Sequence, residues 1–104
     1  MVGRVPSVCS EEEAYAAAQL VGLGCLASLK AEIGDLDRVK QVVKALGMVN
    51  ADPSFANHPT VINGFSDLMV EAFGDSGRAA RSAVGMGSLP GDIPVEVEMI
   101  VEIA

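Results

Sequence analysis

The sequence predicts an α+β domain in which two helices pack on one face of a mixed sheet, in the order helix, strand, helix, strand, strand. Three observations predict it. An apolar run with an acidic head opens after Ser10, and a second apolar stripe at helical spacing follows Pro59. At the end of the chain Val95, Val97, Met99, Val101 and Ile103 alternate with Glu96, Glu98 and Glu102, the period of a strand with one apolar face.

The first helix carries its own start and stop signals. Ser10 with Glu13 three residues later spells a capping box. Glu11, Glu12 and Glu13 stand where the helix dipole favours negative charge. Alanines and leucines fill the middle, and Gly34 is the expected stop. Gly22 and Gly24 either weaken this helix or mark close packing against a flat surface. The next stretch, "DLDRVKQVVKALGMVN", supports two periods. Leu36, Val39, Val43 and Leu46 fit a helix, whereas Val39, Val43, Ala45 and Val49 fit alternation with gaps. Its β-branched valines favour a strand, as does the near absence of any connection to the preceding helix.

"ADPSFANHP" is a loop, and Pro59 sits where the first turn of a helix tolerates it. Val61, Phe65, Leu68, Met69, Ala72 and Phe73 then form one apolar stripe, closed by Gly74. "DSGRAA" turns into a strand from Arg81 to Met86. "GSLPGDIP" reads as a tight, hairpin-like connection to the last strand. Residues 1–104 form a single domain of this layout. Three strands with helices on one face leave the other face open, and half the residues are hydrophobic, so self-association is expected to cover it.

Charge and composition exclude several roles. The net charge is -7, from 14 acidic and 7 basic residues, and the basic residues form no cluster. An acidic chain repels phosphate backbones, so nucleic acid is not an expected partner. Cys9, Cys25 and the single His58 have no metal-ligand spacing, and no metal or cofactor is expected. Cys25, in an apolar run, reads as a small buried hydrophobe. The N-terminus has no signal-peptide pattern, and the apolar run Leu20 to Leu29 is short for a membrane span. A soluble cytoplasmic protein without a membrane partner is the expectation.

"GDLDRVKQVVKALGMVNADPSF" and "PTVINGFSDLMVEAFGDSGRAARSAVGMGSLPGDIPVEVEMIVEI" resemble the RidA/YjgF family, over roughly residues 10 to 104. The specific elements are "ARSAVG", "SLP" seven residues after Arg81, and "VEVE". The resemblance implies a chorismate-mutase-like fold assembled as a homotrimer, with sheets inward, helices outward and clefts between subunits. It implies hydrolysis of reactive enamines and imines to 2-oxo acids and ammonium, as by a 2-iminobutanoate/2-iminopropanoate deaminase. Older labels of the family mention endoribonuclease activity and translation inhibition. Family members usually carry an extra β-hairpin and strand before the first helix. Here "MVGRVPSV" stands in that place, so the expected fold lacks the family's N-terminal hairpin. Ala83 stands where members often have Cys, and Ala79 where relatives carry His.

The candidate site follows from these residues. Arg81 can grip a carboxylate through two parallel hydrogen bonds, and a 2-imino acid offers one beside its C=N. The plain alternative is a strand-end arginine paired with a surface acid. Glu96, on the polar side of the last strand, is assigned to the water as base and then acid. Glu98 and Glu102 share its face, and simple alternation accounts for Glu102. The resemblance also implies that backbone groups at Ala83 hold substrate or water. Asn63 is a candidate contact to substrate or to a neighbouring subunit, with Ser66 and Asp67 weaker ones. His58 reads as a loop residue, and the methionines as core or interface filler. Arg81 and Glu96 are expected side by side across "GSLPGDIP". The leading expectation is imine deamination. The alternatives are a non-catalytic trimer binding small carboxylates and an inert, truncated family member. Ribonuclease activity fits poorly, because no aromatics stand beside basic residues to stack bases.

Overall fold

The computed structural model describes residues 1–104. Helix α1 spans Glu11–Ile33 and helix α2 spans His58–Phe73. The strands are β1, Val39–Asn50; β2, Ala80–Met86; and β3, Val95–Ile103. Short 3-10 turns at Leu36–Arg38, Gly74–Gly77 and Pro90–Asp92 connect them. The expected order of elements and the expected α+β layering are both present, with α1 and α2 packed on each other and on one face of the sheet.

The caps form as the sequence dictates. The Glu13 N–H donates to Ser10 Oγ, and the Ser10 N–H donates to Glu13 Oε1, both at 3.1 Å. These bonds hold the Glu13 carboxyl below its ordinary pKa, the backbone bond at Ser10 first. Gly34 closes the helix with a positive φ of 85° and donates to Lys30 O. His58 differs from expectation. It is the first residue of α2 rather than part of the loop, because Pro59 fixes a helical φ one position later.

The sheet order is β2-β1-β3, with β1 parallel to β2 and antiparallel to β3. This corrects the hairpin reading of "GSLPGDIP". That segment does not join neighbours; it carries the chain past the end of β1, from one edge of the sheet to the other. Asn50 fastens it there. The side chain is 1 % exposed, and its amide donates to Asp92 Oδ1 at 3.0 Å and to Ile93 O at 3.2 Å.

The two periods of the β1 segment also have a structural cause. Pairing with β3 shifts register between Val39 and Gln41 and again between Val42 and Lys44. Each irregularity inserts a residue, so the helix-facing buried positions fall at Val42, Ala45, Gly47 and Val49, and Met48 and Asn50 are buried as well, which breaks strict alternation. The helix-facing residues meet α2. A Cβ at Gly47 would lie 2.6 Å from the Ile62 side chain, so the helix rests directly on the strand.

The helices approach closely at Gly64, where a Cβ would lie 2.1 Å from Tyr15 O. Gly22 abuts Leu68 of α2, whereas Gly24 faces open space. The tight contact of α1 is therefore with a helix and not with the flat sheet. By length and composition α1 would pass for a membrane span, with a mean hydropathy of 1.3 over its most apolar window. In the fold its Ala14, Ala17, Ala18 and Gly22 are buried, and the helix packs on α2 and β3. The main core joins Val5, Val42, Val49, Ile62, Phe65, Met69 and Val95.

Candidate functional site

Four residues of α2, Asn63, Ser66, Asp67 and Val70, recur at i, i+3, i+4 and i+7, which places them on one stripe of the helix. The stripe borders the head of β2. Together with Ala45, Phe65, Met69, Gly77, Arg78, Ala79 and Arg81 these residues line a cavity of about 260 Å³. Its floor is apolar and its mouth is charged.

Arg81 is fixed at that mouth. Its Nη1 donates to Asn63 Oδ1 at 2.7 Å and to Ser66 Oγ at 3.0 Å. Its Nη2 and Nε make no hydrogen bond within the chain, so two of the guanidinium's nitrogens remain open while the other is anchored. A tethered fork of this kind suits a carboxylate, because part of the ordering cost is met before the ligand arrives. Arg81 makes no ion pair; the single salt bridge of the chain joins Arg78 to Asp75, both well exposed.

Asp67 faces the same cavity. Its Oδ2 accepts from the Tyr15 hydroxyl of α1 at 2.8 Å. That bond raises the Tyr15 pKa above its ordinary value, with burial and the Asp67 charge adding in the same sense. Tyr15 therefore stays a donor throughout the neutral range.

The sheet register separates the other candidates. Arg81 is opposite Ala45 on β1, while Glu96 is opposite Met48. Ala45 and Met48 are three residues apart in an extended strand, so their side chains leave opposite faces. Arg81 thus belongs to the helix face and Glu96 to the open face, with β1 between them. Standard strand spacings put their Cα atoms about 14 Å apart. Within one chain the expected Arg81–Glu96 pair is not brought together; the cause is the central position of β1. Asn63 and Arg81 are brought together. Ala83 lies opposite Gly47, packed against the core, and does not line the cavity. Glu98 lines a separate shallow hollow of about 210 Å³ on the open face with Lys44, Leu46 and Ile100. His58 stacks edge-on against Phe55, with ring centroids 5.2 Å apart.

Sequence reading ranked Ser66 and Asp67 low and did not single out Tyr15. The signal was present in the i, i+3, i+4, i+7 spacing from Asn63, which only the identity of the facing strand makes meaningful. Neither thiol has a reactive setting, since burial pushes the pKa of both Cys9 and Cys25 up. No group of three or more His, Cys, Asp and Glu side chains is placed to hold a metal ion.

Comparison with known proteins identifies the fold. The family described as "YjgF/chorismate_mutase-like, putative endoribonuclease" matches residues 2–102. The chain belongs to the YjgF family. The protein TCP17 of Trypanosoma cruzi is 43% identical over 104 residues, which are 99% of this chain and 65% of that protein. The chain therefore spans about two thirds of that relative's length. The crystal structure of Atu1372 from Agrobacterium tumefaciens superposes with a TM-score of 0.98 at 41% identity, covering 100% of this chain and 67% of that one. The crystal structure of a protein from Shewanella oneidensis described as a putative endoribonuclease gives 0.94 at 32% identity, covering 98% and 68% respectively. The mixed sheet with two helices on one face is the YjgF chorismate-mutase-like fold.

Proposed function

We propose that this YjgF-family chain hydrolyses reactive enamine and imine intermediates, specifically 2-imino acids, to 2-oxo acids and ammonium. The carrying observation is Arg81, anchored through Nη1 by Asn63 and Ser66 with the rest of its guanidinium open to a carboxylate. The enamine first tautomerises to the imine. Water then adds to the C=N carbon of the protonated imine and passes a proton to the nitrogen. The nitrogen leaves as ammonia with the C–N electron pair while an oxygen lone pair forms the C=O, and the hydroxyl proton ends on the ammonia as ammonium. Iminium plus water gives ketone plus ammonium, so no redox partner or cofactor is required. Arg81 holds the carboxylate beside the reacting carbon, and a general base takes a proton from the water.

Glu96 is the proposed base, and it acts in a cleft between copies. Because Arg81 and Glu96 leave opposite faces of the sheet, the Glu96 that serves one Arg81 comes from a neighbouring chain of a homotrimer. Partly exposed Val84 and Ile100 on the open face support such an assembly. Reaction on a small soluble metabolite fits a cytoplasmic protein without a membrane or nucleic-acid partner.

The test is a steady-state assay with 2-iminobutanoate and 2-iminopropanoate generated in place by a pyridoxal-phosphate or amino-acid-oxidising enzyme, reading 2-oxo acid formed against spontaneous hydrolysis. Arg81→Ala is expected to lose about tenfold or more in kcat/KM, chiefly through KM, because a charge-assisted contact is removed. Arg81→Lys is expected to recover little, since an ammonium cannot reproduce the fork. Equal rates for parent and Arg81→Ala would sink the proposal. The family description makes RNA cleavage the second reading. A net charge of -7 disfavours it, and a single-stranded RNA substrate incubated under the same conditions distinguishes the two.

A further inference from the structure

Three charged residues line the cavity at the head of β2: Arg78, which pairs with Asp75, and two opposite charges that do not touch each other. Arg81 and Asp67 both line it, yet they form no ion pair. Each is instead held by a neighbour: Arg81 by Asn63 and Ser66, Asp67 by the Tyr15 hydroxyl. In each case one part of the group is tied and the rest is left open, Nη2 and Nε on the guanidinium and Oδ1 on the carboxylate. Two unlike charges in a small cavity would ordinarily close on one another. Their separate tethers, on α2 and on α1, keep a gap between them.

A ligand that fills such a gap carries a negative and a positive group a short distance apart. We infer that Asp67 recognises the cationic nitrogen of the ligand whose carboxylate Arg81 holds, so that the cavity selects small zwitterions with adjacent carboxylate and nitrogen. The inference rests on the assignment of the carboxylate to Arg81 made above. It deepens that reading by naming a second specificity-determining residue and the form of the substrate, the protonated iminium rather than the neutral imine. The apolar floor of Ala45, Phe65 and Met69 and the small volume of about 260 Å³ limit the remaining side chain to a short aliphatic one.

The selection has a chemical consequence. The product 2-oxo acid keeps the carboxylate but has lost the nitrogen, so it gives up the Asp67 contact. The site therefore holds substrate more tightly than product, and hydrolysis itself weakens the complex.

Two stable probes separate the two contacts. Alanine carries a carboxylate beside an ammonium; pyruvate carries the carboxylate alone. Isothermal titration of the unmodified protein should show tighter binding of alanine. Asp67→Asn keeps size and an acceptor for Tyr15 but removes the charge. It should cost alanine about tenfold or more in affinity and pyruvate less than about twofold, the scale of a neutral surface change. Arg81→Ala should weaken both. Equal losses for the two probes in Asp67→Asn, an unchanged alanine affinity, or a parent protein that does not prefer alanine each overturn the inference. The outcome is separable from that of the assay above. Probe discrimination without imine turnover overturns the enzymatic reading and keeps the zwitterion site. Turnover without discrimination does the reverse.

Discussion

The two faces of the three-stranded sheet are built from the same strands and have opposite characters. On the helix face Val42, Ala45 and Val49 are at most 1 % exposed, under α2. On the other face Val84 is 37 % and Ile100 63 % exposed, interspersed with Lys44, Glu96 and Glu98. One face is finished within a single chain; the other is not. The difference bears on how the proposed chemistry would be divided. Arg81 and its anchors belong to the finished face, so in the proposed reaction substrate capture is the work of one chain. Glu96 belongs to the unfinished face, so a reaction that needs both residues needs more than one copy.

The sharpest way to break this comparison is to disable each side separately. Glu96→Gln is expected to lower kcat by about 10²–10⁴, the usual contribution of a general base, while Glu98→Gln changes it little. Subunits carrying only Arg81→Ala and subunits carrying only Glu96→Gln, unfolded together and reassembled, should regain activity. A mixed interface pairs the intact Arg81 of one with the intact Glu96 of the other. Continued inactivity of the mixture, with both variants assembled, would place the two residues' work in the same chain and refute the divided site.

Stability should follow the same division. Phe65→Ala, on the finished side, is expected to cost about 3–5 kcal/mol in urea unfolding. Ile100→Asp, on the unfinished side, should change the stability of dilute chain by no more than about 0.5 kcal/mol. It should nevertheless shift the assembly seen by light scattering towards monomer. A parent that is monomeric at micromolar concentration would contradict the proposed trimer.

A smaller effect is expected at the seam between the faces. Asn50→Ala removes two hydrogen bonds to the crossing segment and leaves the part-buried Ile93 carbonyl without its Asn50 donor, a loss of about 1–3 kcal/mol. Thermal unfolding checks it. The smallest effect is a titration. Tyr15 is the only tyrosine and there is no tryptophan, so ultraviolet absorbance follows its phenolate without interference. Its pKa should lie above the ordinary value, because its hydroxyl donates a hydrogen bond to Asp67. The stabilisation is complete below the unfolded pKa of about 10 and is lost as pH rises through the higher folded value. In Asp67→Asn the titration should move back down.

Much of this was legible in the sequence, and the rest was hidden for identifiable reasons. The capping box at Ser10 and Glu13, the Gly34 stop and the stripe from Val61 to Phe73 depend on neighbours within a few residues, and sequence shows neighbours directly. The β1 segment looked ambiguous because its two register shifts erase the period that reading relies on. The Gly- and Pro-rich "GSLPGDIP" was read as a hairpin because turn chemistry announces a change of direction without naming the strand that lies between. That one omission put Arg81 beside Glu96 when β1 separates them. Tyr15 escaped notice and Asp67 stood low because 52 residues of sequence separate them and only the crossing of α1 and α2 at Gly64 joins them.

The central strand precedes both of its sheet neighbours in sequence. During synthesis β1 leaves the ribosome before either of them. Its parallel partner β2 follows only after all of α2, and β3 only after β2 and the crossing segment. Until Val95–Ile103 emerges, a twelve-residue strand rich in valine keeps an exposed hydrogen-bonding edge. Such late, non-local closure is slow and open to aggregation. Expression of this protein should therefore depend on chaperones that hold nascent chains, and ribosome-arrested chains ending before Pro94 should be protease-sensitive while those in which Ile103 has cleared the tunnel resist.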